Sequence, residues 1–193
     1  MIIDKSYFTG KLFIPNVQVV PDIHGGTQPN NQDKLTGAIV KYERLLLINA
    51  LGAAQYDLLT AAMLSETDYI PGNKWYDLVN GKTYDNKRFD GLREIIGYYV
   101  YVNFLKYESV QFNTTGLERS ESANSLPVLP EQRVIDYWNE FVSMYQYYHG
   151  CGCVFYGSYT PNFVSLYQFL NENQADYSIG NFGFYQIQNI LGI

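Results

Sequence analysis

The chain predicts a mainly α fold, a helical bundle core with a protruding loop or β-hairpin and extended N- and C-terminal arms. Three observations predict it. Apolar residues recur at the 3–4 spacing of helix faces over 33–63, 92–107 and 130–149. Clusters of Gly, Pro, Ser, Asn and Thr punctuate those stretches. The two ends, 1–32 and 150–193, carry Pro, Gly, Asn and aromatic runs in place of long helical periodicity. The expected organisation is an arm over 1–32, a core over 33–149 with 109–129 protruding from it, and a C-terminal extension over 150–193.

In the first arm, FIPNVQVVP alternates weakly and carries Pro15 and Pro21, which suit an edge strand or a strap. HGGTQPNNQ follows as a loop of turn residues. The first helix is expected from near Asp33, with Leu35, Ile39, Tyr42 and Leu46 on one stripe and Val40, Leu47 and Leu51 on a second. Gly52 is its natural C-cap. Gly37 inside it costs about 1 kcal/mol relative to alanine. A second helix, AAQYDLLTAAML, places Tyr56, Leu59 and Met63 on a shared side, and so short a break makes the pair antiparallel or sharply bent.

After a loop over 65–72, the stretch 75–107 organises the rest. Trp75, Leu78 and Val79 form a short apolar turn, ended by Asn80-Gly81. The helix after Gly91 has Asp90 as its expected N-cap and Glu94 in its electropositive first turn. Leu92, Ile95, Ile96, Tyr99 and Val102 share one face, while Tyr98, Tyr101 and Leu105 share another. A surface helix needs one apolar stripe, so this helix is expected to have neighbours on two sides. Beyond it, Gly116, the polar cluster around it, Pro127 and Pro130 mark the protruding loop or hairpin. Pro130 suits the first turn of a further helix with Val134, Trp138, Phe141, Val142 and Tyr145 at helical spacing and Gly150 at its end. In the tail, a short helix over 163–170 is expected. Ends this rich in Gly and Asn order only when something holds them, which points to a partner.

With 193 residues, 47% hydrophobic and 17% charged, the chain can bury one core. Its 19 Tyr and 11 Phe fit either an aromatic core or an interface, since Tyr joins a large ring to a polar tip. A net charge of -6 and a pI near 4.8 argue against a sequence-independent grip on nucleic acid, though an acidic wall lets DNA slide past. No signal peptide and no membrane span are expected. Two Cys separated by one glycine support no disulfide framework, and folding in a reducing cytoplasm is inferred. On that reading the sequon at Asn113-Thr114-Thr115 is chance.

Chemistry is sparse. Asn80-Gly81-Lys82-Thr83 resembles the end of a phosphate-binding loop, but Tyr76 stands where the earlier glycine is needed and a helix leads in, so a turn is expected. His149, Cys151 and Cys153 are spaced wrongly for a tetrahedral structural zinc site, with His24 the one other histidine. His24-Gly25-Gly26 has no G-x-S-x-G elbow to serve, and a Cys–His pair with His24 has no support beyond the letters. No catalytic, cofactor-binding or metal site is expected. Glu118, Arg119 and Glu121 suit a solvated loop tip, while Glu131, Asp136 and Glu140 form an acidic helix face.

The order of these signals carries a resemblance. Trp75, Leu78, Gly81 and Tyr84 give W-x-x-L-x-x-G-x-x-Y. Gly91, Leu92, Ile95, Tyr98 and Tyr101 then give G-L-x-x-I-x-x-Y-x-x-Y, followed by Thr114-Thr115-Gly116, a polar loop and a long helix. Over about 33–149 the chain resembles the head–tail connector (adaptor or ring) proteins of tailed bacteriophages, in the version carried by phages of Bacteroides-type hosts, including crAss-like phages. The resemblance implies a non-enzymatic structural protein of the virion neck, assembled in the host cytoplasm as a dodecameric ring beneath the portal. Its implied partners are further copies of itself, the portal protein and an adjoining ring or tail protein, with double-stranded DNA passing non-specifically. Thr114, Thr115, Gly116 and Arg119 are then candidates for contact with the portal or a neighbour, and Glu131, Asp136 and Glu140 for an acidic channel face. The alternative is a monomeric phage- or prophage-encoded module that binds one protein through a Tyr-rich surface.

Overall fold

The computed structural model describes residues 1–14, 31–108, 111–113, 116–118, 130–146, 163–185 and 187, with backbone alone at 31–32, 107–108, 111–113, 116–118 and 130–132. The described residues form a mainly helical protein with two small antiparallel hairpins. A 3-10 turn over Lys5–Thr9 precedes α1 (Asn31–Leu51), α2 (Ala53–Met63) and α3 (Lys74–Asn80). Next come β1 (Lys82–Tyr84), β2 (Lys87–Phe89), α4 (Leu92–Glu108), β3 (Gln111–Asn113), β4 (Gly116–Glu118), α5 (Pro130–Tyr145) and α6 (Leu166–Glu172).

Helix α4 is the centre. Tyr98, Tyr99, Val100, Tyr101 and Val102 are all buried, which for five consecutive residues means that every side of the helix is covered. The cover comes from α1, α5, α3 and the N-terminal turn, so the expectation of neighbours on two sides holds. Both stripes read on α1 turn inward except at Val40, which is 56% exposed. Gly52, at φ 81°, ends α1 and lets α2 start one residue later.

The joint between α3 and α4 explains the two motif glycines. Gly81 caps α3 at φ 89°, and Gly91 precedes α4 at φ 90°. A Cβ on Gly91 would lie 2.6 Å from both Gly81 N and Val79 O, and one on Gly81 would lie 2.4 Å from Phe89 O. The two chain segments therefore touch backbone to backbone, which only glycine permits. Asp90 does not cap α4. Gly91 occupies the position before the helix, and the Asp90 carboxylate accepts from Arg88 Nε instead.

Between the glycines lies a hairpin that periodicity did not foretell. Lys82, Thr83 and Tyr84 pair with Phe89, Arg88 and Lys87. The two-residue turn is Asp85-Asn86, with φ of 46° and 59°, the left-handed pair that a right-twisted hairpin needs. The hairpin expected within 109–129 also exists: Gln111, Phe112 and Asn113 pair with Glu118, Leu117 and Gly116.

Neither end is an arm where it is described. Ile2, Ile3, Phe8, Leu12 and Ile14 are buried in the same hydrophobic cluster as α1 and α4. Tyr7 lies on the α4 backbone where Gly97 leaves room for it. The buried Glu43 carboxylate accepts from Ile2 N and Ile3 N at 2.9 and 3.4 Å and lies 3.8 Å from the Met1 amine. The C-terminal part is equally integral. Val164, Leu166, Phe169, Leu170 and Tyr177 join the core, Phe169 stacks on Phe89 at 4.3 Å, and Val164 N donates to Arg88 O. Helix α6 starts three residues later than expected, where Ser165 and Gln168 close a capping box. The apolar side chains of both ends were sufficient in number to join a core rather than reach away from it.

Candidate interaction surface

Helix α5 divides its surface three ways. Phe141, Val142 and Tyr145 are buried against the core, while Arg133, Asp136 and Glu140 are exposed. Its third side, Trp138, Asn139 and Gln146 just past the helix end, holds the C-terminal strap, described at 181–185 and 187.

The hold is through main-chain groups. Asn139 Nδ2 donates to Ile187 O at 3.0 Å, and its Oδ1 accepts from Ile187 N at 2.8 Å. Gln146 repeats the arrangement on Phe184, donating from Nε2 to the carbonyl and accepting the amide at 3.2 Å. Between them Trp138 Nε1 donates to Tyr185 O at 2.8 Å. A side-chain amide offers one donor and one acceptor side by side, as a strand backbone does. The register is metric. Seven residues of helix rise about 10.5 Å, and three residues of extended chain span about 10 Å. The strap therefore runs antiparallel to α5 with both clamps engaged.

Alternation completes the seat. Phe182 and Phe184 turn inward, while Gly183 and Tyr185 face out, Tyr185 being 72% exposed. The Phe184 ring packs among Tyr99, Trp138, Phe141 and Tyr145 at centroid distances of 5.2–5.8 Å. Phe182 stacks on Tyr145 at 4.5 Å. Burial pushes the Tyr145 phenol well above its ordinary range, so it stays protonated and donates to Asn181 O at 3.1 Å.

Upstream, the strap is pinned to the end of α1. Gly180 N donates to Ala50 O, Asn181 N to Asn49 O and Ser178 Oγ to Leu51 O, at 2.7–2.8 Å. These are three of the last-turn carbonyls that a helix leaves without partners. The approach is so close that a Cβ on Gly180 would lie 2.0 Å from Asn49 O. The described part of the tail is thus held by the chain's own core, by the end of α1 and by α5.

The residues singled out in the sequence separate into two groups. Trp75, Leu78, Leu92, Ile95, Tyr98 and Tyr101 are interior, Gly81 and Gly91 form the α3–α4 joint, and half-buried Tyr84 donates to Glu172 at 2.9 Å. They build the scaffold and no open site. Of the acidic trio, Glu140 is paired with Lys11 at 3.1 Å and Asp136 is exposed, while Glu131 lies in the first turn of α5 with its side chain outside the description. Gly116 pairs with Asn113, whereas Thr114, Thr115 and Arg119 lie outside the described residues, as do His24, His149, Cys151 and Cys153. Lys82 of the phosphate-loop lookalike bonds Asp77 at 3.0 Å, and Gly81 is a helix cap leading into a hairpin. Among the described residues no three His, Cys, Asp or Glu side chains gather as a metal site, and no helix is long and apolar enough to cross a membrane.

Asn139, Gln146 and Gly180 were not picked out by sequence reasoning. The available signal was the period-2 pattern of Asn181-Phe182-Gly183-Phe184-Tyr185, which marks extended chain with one buried side. Comparison with known proteins adds no relative: no protein-family model, no curated protein and no solved structure matches this chain.

Proposed function

We propose that this chain is a ring-forming connector protein of a tailed bacteriophage neck, seated beneath the portal and extending the DNA channel toward the tail. The observation that carries the reading is the motif over 75–101. Its spaced Trp, Leu, Gly, Tyr and Ile positions fall on one joint, α3–β1–β2–α4, in which both glycines are sterically required. A helical core with the β3–β4 hairpin on its polar loop supports it further. A ring of one chain needs two different surfaces that meet head to tail and close by rotation. The strap-bearing side of α5 and the β3–β4 hairpin are the two offered here, which leaves the exposed acidic side of α5 for the channel. An acidic lumen would let the DNA backbone pass, and Glu131, Asp136 and Glu140 on the acidic side of α5 are the candidates for it, Glu140 lying 3.1 Å from Lys11.

Among the described residues, the tyrosines give the rival module with a Tyr-rich binding surface little support. Tyr98, Tyr99, Tyr101, Tyr145 and Tyr177 are buried, while Tyr167 and Tyr185 stand out at 40% and 72% exposure. Mixing the purified chain with its phage's portal rings and sedimenting the mixture tests the proposal. A stoichiometric complex with portal symmetry supports it, and a chain that stays at monomer size beside intact portal rings rejects it.

A further inference from the structure

Helices α1 and α2 leave their outer sides bare. Helix α2 rests on α1 and α3 and fully buries only Leu59 and Ala62. Its outward stripe runs Ala54, Asp57, Ala61 and Leu64, with Leu58 beside it, and all five are exposed, Leu64 at 87%. The outward stripe of α1 runs Gly37, Lys41, Arg44 and Ile48, flanked by exposed Val40 and Leu45. Lone exposed apolar residues are ordinary, but Val40, Leu45, Leu58 and Leu64 on the outer sides of two packed helices mark an interaction site.

The two stripes differ in sign. In a chain of net charge -6, α1 exposes Lys34, Lys41 and Arg44 against one exposed carboxylate, Asp33 in its first turn. From Leu45 to Asn73 there is no Lys or Arg, while Asp57, Glu66 and Asp68 are exposed. Lys41, Arg44 and these three carboxylates make no ion pair with any described residue. The stripes also match in length, since Gly37 to Ile48 and Ala54 to Leu64 each rise about 15–17 Å. Both point away from the core that the two helices share, so they cannot close on each other within one chain.

We infer that the outer stripe of α1 in one copy docks on the outer stripe of α2 in a second copy of this chain. Val40, Leu45 and Ile48 then cover Leu58 and Leu64, and Lys41 and Arg44 stand against Asp57 and Glu66. A second copy is the occupant because α2 needs an apolar complement with cations at its margin, and α1 of the same chain leaves that surface bare. Each copy carries both halves, so a two-fold pair makes the contact twice and a head-to-tail arrangement once per copy. One helix stripe on each side is a small area for a stable complex, so Kd is expected at about 10–100 µM. The contact uses neither α5 nor the β3–β4 hairpin. It therefore goes beyond the ring reading and does not rest on it.

Sedimentation of the chain alone, from about 1 µM to about 1 mM and without portal, is the test. Two variants each reverse one half of the contact: Lys41→Glu with Arg44→Glu, and Asp57→Lys with Glu66→Lys. All four positions are exposed, so both variants should fold and melt close to the parent. Should either fail to fold, Arg44→Glu and Asp57→Lys alone carry the same test. The parent should self-associate, and each variant alone roughly tenfold less tightly, since like charges then face each other. An equimolar mixture of the two variants should recover association near the parent's, because the reversed α1 of one meets the reversed α2 of the other. A parent that stays monomeric throughout overturns the inference. So do variants that associate as tightly as the parent, and a mixture no better than its components. Because no portal is present and neither ring surface is altered, the co-sedimentation result stands or falls separately.

Discussion

Replacing Gly91 by alanine perturbs the α3–α4 joint at one atom. The residue sits at φ 90°, where a side chain is strained by about 1–2 kcal/mol. The new Cβ would lie 2.6 Å from Gly81 N and Val79 O, 2.8 Å from Asn80 C, and all three are backbone atoms that cannot rotate away. Relief requires α3 to move off α4, uncovering Leu78, Val79 and Leu92, which adds about 1–3 kcal/mol in the range seen for overpacked interiors. The expected loss is about 3–4 kcal/mol, a large part of the roughly 5–15 kcal/mol that holds a domain together. For a chain of this size that lowers Tm by about 10 °C. Gly37→Ala is the internal control. Gly37 lies in α1 with nothing within 4 Å of its added Cβ and no positive φ, so that change should stabilise by about 0.5–1 kcal/mol. Calorimetry or denaturant unfolding of the two variants decides the matter. A Gly91→Ala chain melting within about 1 °C of the parent would refute the backbone-contact account.

Three further outcomes are expected. Gly180→Ala should detach the strap from the α1 carbonyls, so that amide exchange at 178–185 accelerates at least tenfold while α4 stays protected; unchanged protection there would contradict the close approach. Glu43→Leu should leave the Ile2 and Ile3 amides without an acceptor in a buried site, with a loss of about 2–3 kcal/mol by urea unfolding; a neutral effect would mean that the first residues do not dock. Glu172 is held below its ordinary carboxylate pKa, first by its bond from Lys87 at 2.6 Å. A depressed folded-state value means stability that is present above pH 4.5 and is lost as pH falls through the folded value. Since both partners are more than a third exposed, Glu172→Gln should cost only about 0.5 kcal/mol at pH 7, with the difference from the parent vanishing once the pH is below the folded value.

How much of this was legible depended on whether a feature leaves a periodic trace. The two stripes of α4, the end of α3 at Gly81 and the start of α5 at Pro130 all follow from spacing and backbone rules, and the structure has them. The β1–β2 hairpin was hidden because Asp85-Asn86 is a turn pair less obvious than Asn-Gly and its strands are three residues each. Asp90 looked like a cap because capping preference was weighed without the tertiary contact that makes Gly91 the residue before α4. The ends misled for another reason. Pro and Gly content suggested arms, yet whether Ile2, Phe8, Phe169 and Tyr177 face outward or inward depends on surfaces supplied by distant parts of the chain. The α5 clamps were illegible in principle by periodicity, since an Asn or Gln on a helix face reads the same whether it meets water or another segment's backbone.

The central claim is assembly around the genome exit. Electron microscopy of the chain incubated with the portal ring of the phage proposed to carry it tests it most directly. The account predicts a continuous added layer of twelve-fold symmetry under the portal, with α5 and the β3–β4 hairpin in the contacts between subunits. Portal rings that emerge bare, beside a chain still monomeric, would contradict it.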